Sequence, residues 1–232
     1  MKVGIIAAEN AEMMAIKNIM NDIKEEKVYN LNFYIGNIEN KECVLVECGI
    51  GKVNAARTTQ ILIDRFSPNE IINVGSAGGV NPELNILDIV VGKSLVQYDF
   101  DVSAIGNYEK GEVCDTGKYF ECDSRLISIA EEVINNFENR DFKYVSGVIG
   151  SADFFCTDEK IAKGAREEFG VECVEMEGAA VAQVCKLDNV PVLVLRGVSD
   201  SPNGNNGLDF QAYLEIVSNR VALIMKEIVK RI

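Results

Sequence analysis

Residues 190–200 read VPVLVLRGVSD. From Val190 to Leu195 there is no polar side chain, and then Arg196, Ser199 and Asp200 follow within five positions. A short Val- and Leu-rich run of this kind suits a strand buried on both faces, as in sheets covered by helices. The same pattern recurs along the chain in VGIIA (3–7), CVLVEC (43–48), IINVG (71–75), DIVVG (88–92) and VSGVIGS (145–151). Helical stretches alternate with these runs, at about 10–25, 52–66, 123–138, 158–169, 177–188 and 208–231. In 123–138 the apolar residues Leu126, Ile129, Ala130, Val133, Ile134 and Phe137 recur at helical spacing. NLNFYIGNIENKECVLVEC (30–48) reads as a hairpin turning at Asn40. No linker, repeat or low-complexity tract interrupts the alternation. It predicts one α/β domain over residues 1–232, with a central mixed, twisted sheet flanked by helices.

Composition narrows the function. The chain has 232 residues, 47% of them hydrophobic, which is enough for a packed core. Its formal net charge is −13, spread along the chain, and such a surface repels polyanions. Nucleic acid and anionic membrane are therefore poor partners. Acid at Glu9 comes too early for a signal-peptide core, and no apolar run approaches a membrane span. Seven scattered cysteines without a CxxC pair predict free thiols in a reducing cytoplasm. There is no histidine. That removes histidine metal sites, Ser-His and Cys-His dyads and imidazole acid–base catalysis, and no metal or cofactor is called for. Proton transfers would fall to carboxylates, Lys, Tyr, Cys or bound water.

In open α/β sheets ligands sit beyond the carboxyl ends of the strands. That rule directs attention to Ala8–Glu12, Gly49–Lys52, Ser76–Gly79, Ala152–Cys156, Met176–Glu177 and Ser199–Asp200. GIGKVN (49–54) imitates a dinucleotide fingerprint but has Asn54 for its third glycine, so it reads as a tight strand-to-helix turn. Lys52 lacks the glycine cradle of a P-loop. NVGSAGG (73–79) offers a hydroxyl at Ser76 and small residues at Ala77 and Gly78, either for close approach to a ligand or for an ordinary turn. Asp200 in RGVSD is either a general acid whose carboxyl is raised by desolvation or, with Ser199, a cap on the turn before Pro202. Glu12 is either functional or a first-turn acid favoured by the helix dipole. In VEMEGAA (174–180), Glu175 and Glu177 stand at a strand-to-helix joint. Glu177 at that joint would bind a vicinal diol, or the two would form a buried pair bridged to Arg196, and these two uses are compatible.

Taken together, GIIAAENAE, GIGKVNAA, NVGSAGG, VEMEGAA and RGVSD resemble, in order and spacing, the 5′-methylthioadenosine/S-adenosylhomocysteine nucleosidases of the nucleoside phosphorylase superfamily. The resemblance runs from Met1 to the C-terminal helix. It implies hydrolysis of the N-glycosidic bond of either nucleoside to adenine and a 5′-thio-substituted ribose. Glu12 would activate the attacking water, helped by Ser76 and Arg196. Asp200, positioned by Ser199, would protonate N7 of adenine. Phe155 would stack on the purine, and the main chain of Cys156 would meet its edge. Met176 and Glu177 would hold the ribose, with Glu175 in support. Ile50, Val102 and Phe210 would line the 5′ pocket. A dimer partner would close that pocket near Ile105 and Cys114. The chain departs from the family at Glu9, where relatives are often apolar, and at Ile105, where they often carry Phe. Both positions bear on the 5′ tail.

Three rivals make different predictions. A phosphorylase of the same superfamily would need cations for phosphate, yet no Arg precedes Arg57, and Asn73 stands where phosphate users often place Arg. A hydrolase of another nucleoside, such as futalosine, would differ only in its substrate panel. A binding protein would hold adenine without turnover.

Overall fold

The alternation of apolar runs is realised as one ten-stranded mixed sheet among the described residues. The computed structural model describes residues 1–202 and 206–232. Its strands are β1 (Lys2–Ala7), β2 (Asn21–Val28), β3 (Leu31–Ile38), β4 (Lys41–Glu47), β5 (Glu70–Gly79), β6 (Ile89–Gln97), β7 (Phe120–Glu121), β8 (Tyr144–Ser151), β9 (Val171–Glu175) and β10 (Val192–Asp200). Its helices are α1 (Asn10–Lys17), α2 (Lys52–Phe66), α3 (Ser124–Asn135), α4 (Glu159–Phe169), α5 (Gly178–Leu187) and α6 (Asn206–Arg231).

The strand order is β10-β6-β8-β9-β5-β1-β4-β3-β2, with β7 beside β6. β10 also pairs in parallel with β5, from Val192 opposite Ile71 to Asp200 opposite Gly78. That extra pairing joins β5, β9, β8, β6 and β10 into a closed ring, from which β1, β4, β3 and β2 continue as an open wing. The expected mixed sheet is present, and its curling is the feature that gathers strand ends into one place.

Two-sided burial explains the apolar runs. In β1, Val3, Ile5 and Ala7 join a core with residues of α1, α3 and α6. Ile6 joins the opposite core with residues of α2 and α5. Alternate residues of one strand thus serve both layers. In β10, Leu193 and Leu195 face the first core and Val192, Val194 and Val198 the second. A third, smaller core gathers Val96, Tyr98, Ala162, Ala165 and Phe169 under α4. Each fully buried Leu or Ile contributes about 1.5–3 kcal/mol.

Three expectations are corrected. The helix read over 10–25 ends at Lys17, and residues 21–28 are the edge strand β2. Seven of its eight residues are exposed, so no apolar period marks it. Its Lys and Glu side chains are of the kind that blunt an unpaired edge. The glycine-rich NVGSAGG does not follow a strand but lies within β5, paired to β10 on one side and to β9 at Gly78 and Gly79 on the other. β6 continues past Gly92 to Gln97, so its apolar run marked only the first half.

Candidate active site

The carboxyl ends of β1, β5, β8, β9 and β10, with the first turns of α1 and α6, line a cavity of 450 Å³. Glu12, Ser76, Glu175, Glu177, Arg196, Ser199 and Asp200 all reach it. Five of these are less than a tenth exposed as ionisable residues: Glu12 5%, Glu175 8%, Glu177 6%, Arg196 1% and Asp200 2%. Burying charges at this density costs several kcal/mol per group unless each is satisfied, on the order of the penalties known for ion pairs.

Glu12 is satisfied by four donors. The main-chain N–H groups of Ala8 and Glu9 donate to Oε2 at 3.1 and 3.0 Å. The N–H and Oγ of Ser76 donate to Oε1 at 2.8 and 2.9 Å. A side chain on residue 75 would crowd this carboxylate, since a Cβ there would lie 3.1 Å from Oε1. Gly78 plays the same part for Asp200, with a Cβ position 3.2 Å from Oδ2. The glycines of NVGSAGG therefore let two carboxyl groups lie against the backbone of β5.

The two glutamates of VEMEGAA have different partners. Glu175, the last residue of β9, accepts from Arg196 and from the hydroxyl of Ser151. It also accepts from the N–H of Glu177 at 3.1 Å and of Gly178 at 2.7 Å. A carboxylate has about four acceptor sites, so Glu175 is committed to the protein. Only Glu175 bridges to Arg196. Glu177, at the strand-to-helix joint, accepts one N–H, from Gly51 at 2.8 Å. Burial first, then the charge of Glu175, pushes its carboxyl up to about 8, against the opposing pull of the Gly51 N–H.

Arg196 is the only cation lining the cavity among the described residues. Its Nη2 donates to Asn73 at 2.7 Å and to Glu175, and its Nη1 donates to its own strand's Leu195 carbonyl at 3.1 Å. Burial works against its charge, but the carboxylates of Glu175, Glu177 and Glu12 outweigh it and hold its pKa above the ordinary value. Ser199 Oγ lies 2.7 Å from Asp200 Oδ1. Glu9 is half-buried on the cavity wall, and burial, Glu12 and Glu47 together raise its carboxyl.

The apolar part of the wall includes Ile50, Ala77, Phe155, Cys156, Met176 and Phe210. Phe155 and Phe210 meet edge to face at 5.7 Å. Val102, expected at the 5′ pocket, lies outside this wall, as does Ile105, expected where a dimer partner closes that pocket. Val102 precedes a 3₁₀ turn (Ser103–Ile105) that Ile105 closes, and the Asp101 carboxylate accepts from Ser103 N–H and Oγ at 2.9 and 2.6 Å. Ile105 is 72% exposed. Sequence reasoning missed Ser151 and Gly51 as supports of the two glutamates. Ser151 ends the run VSGVIGS, so the strand-end rule could have found it. Gly51 acts through its main chain, which no side-chain pattern announces.

The chain matches the family model of the phosphorylase superfamily over residues 2–230. It is 38% identical over 233 residues to a 5′-methylthioadenosine/S-adenosylhomocysteine nucleosidase of an Exiguobacterium strain, covering 100% of this chain and 99% of that one. A solved nucleosidase of that name from Neisseria meningitidis, in complex with methylthio-immucillin-A, aligns with TM-score 0.96 and 34% identity, covering 100% and 99% of the two chains. A futalosine hydrolase of Helicobacter pylori aligns with TM-score 0.95 and 32% identity, covering 100% and 98%. With these relatives at full length, and with the strand-end carboxyl groups in one cavity, the chain belongs to the 5′-methylthioadenosine/S-adenosylhomocysteine nucleosidase family of the phosphorylase superfamily.

Proposed function

We propose that this chain hydrolyses the N-glycosidic bond of 5′-methylthioadenosine and S-adenosylhomocysteine, releasing adenine and the 5′-thio-substituted ribose. The observation that carries the reading is the pair of buried carboxyl groups, Glu12 and Asp200, set against Gly75 and Gly78 of one strand in one cavity. Glycosidic cleavage passes through an oxocarbenium-like state and divides its work between an acid on the leaving group and a base on water. Asp200, oriented by Ser199, gives its proton to N7. The C1′–N9 bond then breaks with its electron pair moving into the purine. A water oxygen bonds to C1′, and its proton passes to Glu12. Three of the four donors to Glu12 are main-chain N–H groups. The fourth, the Ser76 hydroxyl, is a rotor, and by turning it opens an acceptor site on Oε1 for the water.

Glu177 takes the ribose hydroxyls beside Met176. Phe155 stacks on the base, which Cys156 meets at its edge. Ile50 and Phe210 receive the 5′ tail. A phosphate nucleophile would meet Glu9, Glu12, Glu175 and Glu177 against one lining cation among the described residues, Arg196, whose Nη2 is held by Asn73 and Glu175, so water is favoured over phosphate. The mouth carries exposed apolar side chains, Ile50 at 50% and Phe155 at 46%. With Ile105 and Cys114 on the same chain's outer loop, they support a homodimer whose partner covers the mouth. All seven cysteines are free thiols, and no described helix is long and apolar enough to cross a membrane. Free thiols fit the reducing cytoplasm in which we place the enzyme, and its proposed substrates place it in methionine salvage.

The test is incubation with methylthioadenosine, S-adenosylhomocysteine, 5′-deoxyadenosine and futalosine in phosphate-free buffer. Free adenine from the first two is expected. Release of base from futalosine alone would move the substrate assignment, and release from none would contradict it.

A further inference from the structure

GIGKVN (49–54) left its lysine without a purpose, since the motif is neither a P-loop nor a dinucleotide fingerprint. Lys52 does not line the cavity. It stands at the start of α2, and its ammonium lies 2.6 Å from Asp99 Oδ1 and 3.8 Å from Asp153 Oδ2. Its own N–H donates to Asp153 Oδ1 at 2.8 Å. The N–H of Asp153 in turn donates to Asp99 Oδ2 at 2.8 Å. These four contacts form a closed ring. It ties together the segments that follow β4, β6 and β8, three separate strand ends at the rim of the cavity.

Two parts of the proposed site hang on this ring. Gly51, the residue before Lys52, donates to Glu177, and this is the one N–H that Glu177 accepts among the described residues. Phe155, two residues after Asp153, carries the exposed aromatic face at the mouth. Gly51 has φ +99°, and a Cβ there would meet Asp153 Oδ1 at 3.3 Å, so the turn is packed directly on the ring. The Lys52 side chain is 14% exposed and that of Asp99 19%, which shields the short pair from solvent more than a typical surface ion pair.

We infer that Lys52 is a positioning residue, which acts with Asp99 and Asp153 to aim the Gly51 N–H at Glu177 and so hold that carboxylate for the ribose hydroxyls. The inference rests on the nucleosidase reading and adds a function for a residue outside the cavity. Without the ammonium, Asp99 and Asp153 repel each other and the turn at Gly51 is released. Glu177 then loses its fixed donor. The ground-state hold on the sugar weakens, while the acid and the base of the reaction are untouched.

The experiment is a double-mutant cycle on methylthioadenosine hydrolysis with wild type, K52A, K52R, E177A and K52A/E177A, each checked by thermal melting. Hydrogen bonds to charged groups contribute enough that K52A should raise KM about tenfold with kcat within about threefold of wild type. K52R should recover most of that loss. In the E177A background, K52A should change kcat/KM by less than about twofold, because coupled residues are non-additive. If K52A does not melt cooperatively, D99N replaces it in the same cycle. Additive effects of the two substitutions, or an unaltered KM in a folded variant, would overturn the inference. Absence of adenine release by the wild type would instead overturn the nucleosidase reading beneath it.

Discussion

Glu12, in the first turn of α1, and Glu177, at the joint before α5, are both less than a tenth exposed, yet the protein treats them differently. Glu12 receives four hydrogen bonds, three from main-chain N–H groups that cannot turn away. Glu177 receives one among the described residues. The first arrangement supplies the charged form with what water would have given it. The second leaves the carboxyl dependent on partners from outside the chain, and burial drives its pKa up to about 8. The contrast separates two uses of a buried acid. In the proposed reaction, the base that takes a proton is fixed in advance, whereas the group that binds the sugar is completed by its ligand.

The sharpest way to break this comparison is to neutralise each acid in turn. Glu12→Gln keeps the shape and removes the base, so kcat should fall by about 10²–10⁴ while affinity for a non-hydrolysable analogue is largely kept. An unaltered kcat would return Glu12 to a helix-dipole role. Glu177→Ala should instead act on sugar recognition, raising KM by about 10–100-fold for the full ribose, from the 1.5–3 kcal/mol typical of a hydrogen bond to a charged group. The 2′- and 3′-deoxy substrates should suffer less from this substitution. Equal losses for all three would make Glu177 a structural group.

The pH dependence sharpens the same contrast. Glu177 has a folded pKa of about 8 against an ordinary 4.5, so the native state binds the proton more tightly than the unfolded chain. The stability it contributes is fully present below about pH 4.5 and is lost as pH rises through 8, with a slope of up to about 1.4 kcal/mol per unit. Glu177→Gln should flatten that decline in urea titrations between pH 5 and 8.5, an interval of about this width around the shift. Ribose hydroxyls favour the charged form, so KM should fall as pH rises over the same interval in wild type and not in the Gln variant.

The smallest expected effect belongs to Glu9. It lines the cavity half-buried, close to Glu12 and Glu47. A carboxylate there attracts the ammonium of the homocysteine tail and repels its carboxylate. A single pair near solvent contributes about 0–1 kcal/mol, so Glu9→Met should alter the ratio of kcat/KM for S-adenosylhomocysteine and methylthioadenosine by no more than about fivefold. A ratio unaltered at low and high salt would leave Glu9 without a part in tail selection.

Most of the cavity's polar lining was legible in the sequence because those side chains follow or close apolar runs. Glu12, Ser76, Glu177 and Asp200 each follow or close an apolar run, and the strand-end rule selects them. What stayed hidden has physical reasons. β2 carries its charges on an exposed edge, so neither burial nor period distinguishes it from the helix before it. The β5–β10 pairing that closes the ring joins residues more than a hundred positions apart, and no local pattern encodes it. Gly51 contributes a main-chain N–H, which every residue but proline owns. Val102 does not line the cavity of the single chain, and closure of the 5′ pocket near Ile105 depends on a second subunit, which no pattern within one chain encodes.

Whether Glu12 delivers water is read from the identity of the sugar product formed from methylthioadenosine at saturating inorganic phosphate. Free 5-methylthioribose is expected, with adenine released at the same rate with and without phosphate. Formation of 5-methylthioribose 1-phosphate, or a rate that rises with phosphate, would contradict it.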